Sequence, residues 1–189
     1  LTGDATFAGM PMVEWSANGS ASNEVFAITP AVGDLDGDGI PEIIATTTGE
    51  SCIFGSCTFT NKALYVFEGD SGALVFSRTI TGTHGCSGFR ICGGVGSPAI
   101  ADIDGGGDIE IIVDSSSGLR AYKNDGTLLW WNQSIQGTWA SAVAIANLDD
   151  DDAPEIATVH DSISPNVRRV HIAQPDGTPS WNYTLPTTL

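Results

Sequence analysis

Hydrophobic positions along the chain come in short bursts. Ile43-Ile44-Ala45-Thr46-Thr47-Thr48, Leu64-Tyr65-Val66-Phe67 and Leu74-Val75-Phe76 are apolar or β-branched runs of three to six residues. Ile111-Ile112-Val113, Leu119-Arg120-Ala121-Tyr122 and Leu128-Leu129-Trp130 repeat the series. Ile156-Ala157-Thr158-Val159, Val170-His171-Ile172 and Trp181 give it a third time. Runs this short, bounded by Gly, Asp, Asn and Pro, predict strands and not helices. Each series is entered through a small-residue stretch: Ala31-Val32, Pro98-Ala99-Ile100-Ala101, and Ala142-Val143-Ala144-Ile145-Ala146. Each ends in a hairpin turn: Asp70-Ser71-Gly72, Asp125-Gly126 or Asp176-Gly177. The unit is therefore four strands, the last pair joined by an Asp-Gly type turn.

Between the first and second strand of each unit lies an acidic loop. The first is Asp34-Leu35-Asp36-Gly37-Asp38-Gly39-Ile40-Pro41-Glu42. The second is Asp102-Ile103-Asp104-Gly105-Gly106-Gly107-Asp108-Ile109-Glu110, and the third Asn147-Leu148-Asp149-Asp150-Asp151-Asp152-Ala153-Pro154-Glu155. The three loops hold 13 of the 23 acidic residues. The remainder nearly balances the seven basic ones, so the net charge of -16 is concentrated on three turns. Like charges crowded on a short loop repel, and a bound cation is the simplest reason to keep them. Oxygens at positions 1, 3, 5 and 9, with a carbonyl at 7, suit calcium, which takes six to eight oxygens in flexible geometry. An EF-hand would need Glu at position 12 and flanking helices, and here a strand follows. The Cys and His placement does not suggest zinc.

Units of four strands at a spacing of about 45 residues fit β-propeller blades. Asp-x-Asp-x-Asp-Gly-x-x-Glu followed by a strand resembles the FG-GAP (VCBS) repeat, the calcium-binding blade repeat of integrin α-subunit propellers and of secreted lectin and lyase propellers. The resemblance runs over residues 27 to 185. It implies an all-β β-propeller segment of three four-stranded blades, part of a larger or multi-chain propeller, since known propellers close with at least four. Carried over by position, it implies two to three calcium ions. Blade one would use Asp34, Asp36, Asp38, the Ile40 carbonyl and Glu42. Blade two would use Asp102, Asp104, the Asp108 carbonyl and Glu110, and blade three Asn147, Asp149, Asp151, the Ala153 carbonyl and Glu155. Gly106 departs from the pattern, standing where the third Asp belongs, and Asn147 replaces the first Asp. Blade one should then bind most tightly.

The implied organisation is an N-terminal segment (1–26) completing a neighbouring blade, blade one (27–80), a cysteine-containing insertion (81–94), blade two (95–137) and blade three (138–189). Trp15 sits in a stretch comparable to Trp130-Trp131-Asn132. Cys52, Cys57, Cys86 and Cys92 lie in two insertions read as surface loops. Local disulfides Cys52–Cys57 and Cys86–Cys92 are the simplest of three pairings, and a thiolate zinc site is the rival. With three Asn-x-Ser/Thr sequons at Asn18, Asn132 and Asn182, these features point to a secreted or cell-surface protein.

The acidity argues against a nucleic-acid surface, and the short apolar runs leave no membrane span. No nucleophile, metalloprotease or phosphate-loop motif occurs. His171 is placed in register with Tyr65 and Tyr122 and reads as packing; His84, near Arg90, is the histidine with a functional setting. Trp130 and Trp181 align with Phe76 and are read as packing between blades, whereas Trp131 and Trp139 are the Trp residues to expect exposed. The expected function is a calcium-stabilised module for binding, adhesion or structural assembly, more in keeping with a non-enzyme. Its partners would be other blades, with a carbohydrate or protein ligand at the rim. The alternative is a carbohydrate-active propeller, a polysaccharide lyase or a lectin, with part of its site outside this chain.

Overall fold

The computed structural model describes residues 15–16, 24–25, 29–53, 56–81, 94–137, 141–163 and 166–185. His84, Trp139, Cys86, Cys92, Asn18 and the 82–93 insertion lie outside the described residues. Among the described residues all regular structure is β. The strands are β1 (Glu24–Val25), β2 (Ala31–Gly33), β3 (Glu42–Ile53), β4 (Ser56–Glu68) and β5 (Leu74–Thr79). They continue as β6 (Ala99–Ala101), β7 (Glu110–Val113), β8 (Leu119–Tyr122), β9 (Leu128–Asn132), β10 (Ala144–Ala146), β11 (Glu155–Ile163), β12 (Asn166–Ala173) and β13 (Pro179–Leu185). They form three antiparallel four-stranded meanders: β2-β3-β4-β5, β6-β7-β8-β9 and β10-β11-β12-β13. The two-residue β1 adds to the first at Thr48 and Gly49. This is the all-β, three-blade segment that the repeats predict.

Three inner strands, β2, β6 and β10, lie side by side. They are only three residues long and rich in Ala and Gly, which permits the close approach. A Cβ on Gly33 would collide with Ile100, and one on Gly96 with the Ser141 backbone. The apolar core fills the spaces between sheets, and alternation along each strand divides it. Ile111, Val113 and Tyr122 pack toward blade one with Leu35, Ile44, Leu64 and Val66. Ile112, Leu119 and Ala121 point the other way and pack with Ile103, Ile135, Ile156 and Ala173. Blade two is thus buried on both faces. This explains why its strands read as continuous apolar runs and not as alternation.

Two readings change. The Cys52–Asn61 stretch is not a loop but the far end of one hairpin. β3 and β4 continue through a bulge at Thr47/Gly49 until Cys52 and Cys57 stand opposite each other in the ladder. Thr58-Phe59-Thr60 keeps strand character in sequence, and the polar flanks disguised it. His171 is in register with Tyr65 and Arg120, not Tyr122. Ile172 faces Trp181 as Ala121 faces Trp130 and Val66 faces Phe76, which sets the alignment. His171 is buried, in agreement with a packing role.

Candidate metal centres and the contacts between blades

Each acidic loop is built on the same local scaffold. In the first, Asp34 accepts hydrogen bonds from the Gly37 and Gly39 amides (2.8 and 3.0 Å), Asp36 from Asp38 N (3.1 Å), and Asp38 from Ile40 N (2.7 Å). These turns draw the short acidic side chains inward. Gly37 and Gly39 take φ of 79° and 92°, and their counterparts Gly105 and Gly107 take 73° and 90°. In the second loop Asp104 accepts from Gly106 N (2.8 Å) and Asp102 from Gly107 N (2.9 Å). In the third, Asn147, Asp149 and Asp151 accept from the amides of Asp149, Asp151 and Ala153 at 3.2, 3.0 and 2.8 Å. The Asn147 amide also donates to the Asp151 carbonyl.

The glutamate that ends each loop is the least exposed of its acids. Glu42, Glu110 and Glu155 are only 3%, 2% and 2% exposed. One oxygen of each accepts from the backbone amide at the loop's second position: Leu35 N at 2.6 Å, Ile103 N at 3.0 Å and Leu148 N at 2.7 Å. The glutamate therefore staples the loop to the start of the second strand. Glu42 Oε1, Glu155 Oε1 and Asp102 Oδ1 are buried and have no hydrogen-bond partner. A buried carboxylate oxygen left unpartnered is costly, and a cation would satisfy it. Burial pushes the Glu110 carboxyl up, against the Ile103 amide that favours its charged form. Half-buried Glu68, the ladder partner of Glu42, is also raised, by desolvation and then by Glu42, Asp38 and Asp36.

Three sets of acids bring oxygens within 4.8 Å of one another: Asp34-Asp36-Asp38, Asp102-Asp104-Glu110 and Asp149-Asp151-Glu155. Glu42, unlike Glu110 and Glu155, lies outside its loop's set, although its Oε1 is buried without a partner. Asp108 is exposed and outside the second set, and Ile40 and Ala153 lie at the loop position whose carbonyl was assigned by resemblance. Hard, mostly anionic oxygens without nitrogen or sulfur fit a hard divalent cation.

Sequence reasoning missed a second polar centre at the opposite ends of the strands. Asp114, fully buried after β7, accepts from Thr158 Oγ1 (2.7 Å) and Ser141 N (3.2 Å) and pairs with His160 Nε2 (2.7 Å). All three partners belong to blade three or its approach. The His171 ring lies 5.4 Å from His160, and burial, then His160, lowers the His171 pKa. Arg120, 2% exposed, donates to Ser115, Ser117, Gly118 and Thr81 and covers the Trp131 ring at 4.2 Å. Trp131 is thus half-buried beneath a guanidinium and not exposed.

A third repeated contact joins neighbouring blades. The outer-strand aromatic of one blade seats on the hairpin glycine of the next. A Cβ on Gly126 would come within 2.7 Å of the Phe76 ring, and one on Gly177 within 2.6 Å of Trp130. Trp130 Nε1 also donates to the Pro175 carbonyl (2.8 Å). Trp15 does the same to blade one, packing on Gly72 and donating to the Gly69 carbonyl (3.0 Å). This is the contact that Phe76 and Trp130 make with the blades that follow them. On blade three the equivalent residues are open. Leu148 is 55% exposed where Leu35 and Ile103 are 4% and 1%, and Trp181 is 51% exposed.

Residues 26–67, spanning the first acidic loop and the strands around it, match the FG-GAP repeat model. No curated protein matches the chain. Among solved structures, a Bacillus licheniformis rhamnogalacturonan lyase is similar at 15% identity, with a TM-score of 0.57, over 83% of this chain and 34% of that one. The V. cholerae biofilm matrix protein Bap1 is similar at 23% identity over 82% of this chain and 28% of that one, with a TM-score of 0.34. The exotype rhamnogalacturonan lyase YesX is similar at 14% identity over 82% of this chain and 48% of that one, with a TM-score of 0.37. The chain spans less than half the length of each. The likeness to the Bacillus licheniformis lyase is one of fold.

Proposed function

We propose that this chain is a calcium-stabilised propeller segment that works in an extracellular setting by edge-to-edge assembly with further blades. The observation that carries the calcium reading is the buried glutamate of the loops, which spends one oxygen on the backbone. In the first and third its other oxygen has no partner. The assigned ligands are Asp34, Asp36, Asp38, Ile40 O and Glu42 in blade one, with the corresponding sets in blades two and three. Calcium would relieve the repulsion of the loop and fix the turn between inner and second strand, so that binding free energy becomes folding free energy. Three ions would leave the formal charge at about -10. The ladder position of Cys52 opposite Cys57 supports a disulfide there: antiparallel partners lie about 4.5–5.5 Å apart at Cα, inside the range a disulfide spans. That bond and the sequons support secretion.

Assembly rests on the contrast between blade junctions. Leu35 and Ile103 are covered by the next blade, whereas Leu148 and Trp181 form an apolar face at the corresponding place. Light scattering in calcium tests it. The expected result is association that falls when Trp181→Asp and Leu148→Asp are introduced together. A stable 19.6 kDa monomer with unchanged solubility in both forms would contradict it.

A further inference from the structure

Two of the three aromatic seats are made for an indole. A Cβ on Gly177 would meet Cε3 and Cδ2 of Trp130 (2.6 and 2.7 Å), and Trp130 Nε1 donates to the Pro175 carbonyl (2.8 Å). A Cβ on Gly72 would meet the same two atoms of Trp15 (2.6 and 2.5 Å), and Trp15 Nε1 donates to the Gly69 carbonyl (3.0 Å). Gly69 and Pro175 hold the same place in their turns. Each follows the residue, Glu68 or Gln174, whose amide donates to the carbonyl just past the hairpin glycine, that of Ala73 or Thr178. The seat on Gly126 differs. Phe76 has no N–H to offer, and Arg78 donates to the Asp125 and Gly126 carbonyls instead.

Trp181 continues this series. It stands opposite Ile172 as Trp130 stands opposite Ala121, so it holds the same place in blade three and carries the same indole, half of it exposed. Leu148 is open as well. Its counterparts are covered: Leu35 shares a core with Tyr122 of blade two, and Ile103 shares one with Ala173 of blade three. The counterpart of Tyr122 and Ala173 in blade one is Phe67, since the ladder partners of the three are Ile111, Ile156 and Ile43. Ile44, Leu64 and Val66 pack toward blade two, so alternation turns Tyr65 and Phe67 the other way. Trp15 packs on that face, its ring 6.1 Å from Phe67.

Blade three thus carries the indole half of a joint, and blade one carries the turn half with Trp15 already in it. We propose that the partner of the open face is a second copy of this chain. Trp181 and Leu148 of one copy dock on the Gly72 turn and the Phe67 face of the next, and Trp15 leaves that seat to admit them. This rests on the assembly reading and names its partner. The two faces differ, so the joint runs head to tail. The seat cannot hold two indoles, because Trp15 leaves no room there for a single added carbon. Trp15 is therefore a competitor within the chain, and it weakens association by the fraction of time that it fills the seat.

Sedimentation velocity and light scattering on the full chain in calcium test this. Trp15→Ala empties the seat and is expected to tighten association about tenfold. Adding Trp181→Asp to that variant is expected to return it to monomer. Trp15→Phe keeps a ring and loses the bond to the Gly69 carbonyl; it is expected to tighten association about threefold, the worth of one hydrogen bond. It carries the test if circular dichroism shows Trp15→Ala unfolded. If folded Trp15 variants associate no more tightly than wild type, while wild type associates through Trp181 and Leu148, the competition is overturned and the assembly reading stands. Association of Trp15→Ala that survives Trp181→Asp overturns the proposal too, since something other than Trp181 then takes the freed seat. Folded monomers in every form overturn the assembly reading, and this proposal with it.

Discussion

Glu42 shows how one residue carries two duties. Its Oε2 holds the Leu35 amide and its Oε1 is buried without a partner. Glu42→Gln keeps an acceptor for Leu35 but removes the charge. The expected outcome is apo stability equal to or above wild type, since Asp36, Asp38 and Glu68 are relieved of a like charge. Calcium affinity at that loop should fall about tenfold, or 1.4 kcal/mol. Calorimetry with parallel melting curves in chelator checks both halves; a large apo destabilisation with unchanged calcium affinity would show that the residue is only a staple. His171 gives a pH prediction. Burial lowers its folded pKa, so the unfolded chain takes up the proton first. Stability must then fall as pH drops through about 6.5, the unfolded value, down toward the lowered folded one. His171→Gln should flatten that slope in urea titrations between pH 7.5 and 5.5 at fixed calcium. An identical slope in the variant would exclude His171 as its source. At this scale the sequence is an uneven guide. The loop acids are legible because their spacing is local. Asp114 and His160 are not, because they are 46 residues apart and neither sits in a patterned motif.

At the level of strands and turns, the glycines of positive φ have two different reasons to be glycine. Gly37 takes φ of 79° with open space where a Cβ would sit, whereas Gly126 takes 78° with Phe76 against it. In chelator, Gly37→Ala should cost about 1–2 kcal/mol from backbone strain alone. Gly126→Ala should cost about 2–4 kcal/mol, because strain and overpacking add. Equal losses in chemical denaturation would mean that the aromatic seat on the turn contributes nothing to joining the blades. The turns were readable from Asp-Gly pairs, and the strands from short apolar bursts. The length of the β3–β4 hairpin was not, because Thr-, Ser- and Gly-rich sequence between cysteines resembles a loop while its backbone still pairs. The placement of Trp131 was also hidden. It depends on Arg120 folding over it from the neighbouring strand.

Across the whole molecule, charge and apolar surface tell a consistent story. Acid gathers at three loops on one side of the blades, and polar ties such as Asp114–His160 join the blades at the other ends of the strands. The apolar face that every internal junction covers lies open on blade three. The repeat order, visible in sequence, gives the three sheets and their succession. What covers the open face depends on partners that no residue pattern names. The claim on which the rest depends is that the acidic loops hold calcium and that calcium holds the blades. Titration calorimetry with calcium, followed by thermal unfolding with calcium, with magnesium and with chelator, tests it most directly. The account predicts up to three ions per chain, the first loop binding most tightly. The melting temperature should rise by about 5–10 °C for each site filled at a hundredfold excess over its Kd, with a smaller rise in magnesium. No binding heat and a melting temperature indifferent to calcium and chelator would contradict it.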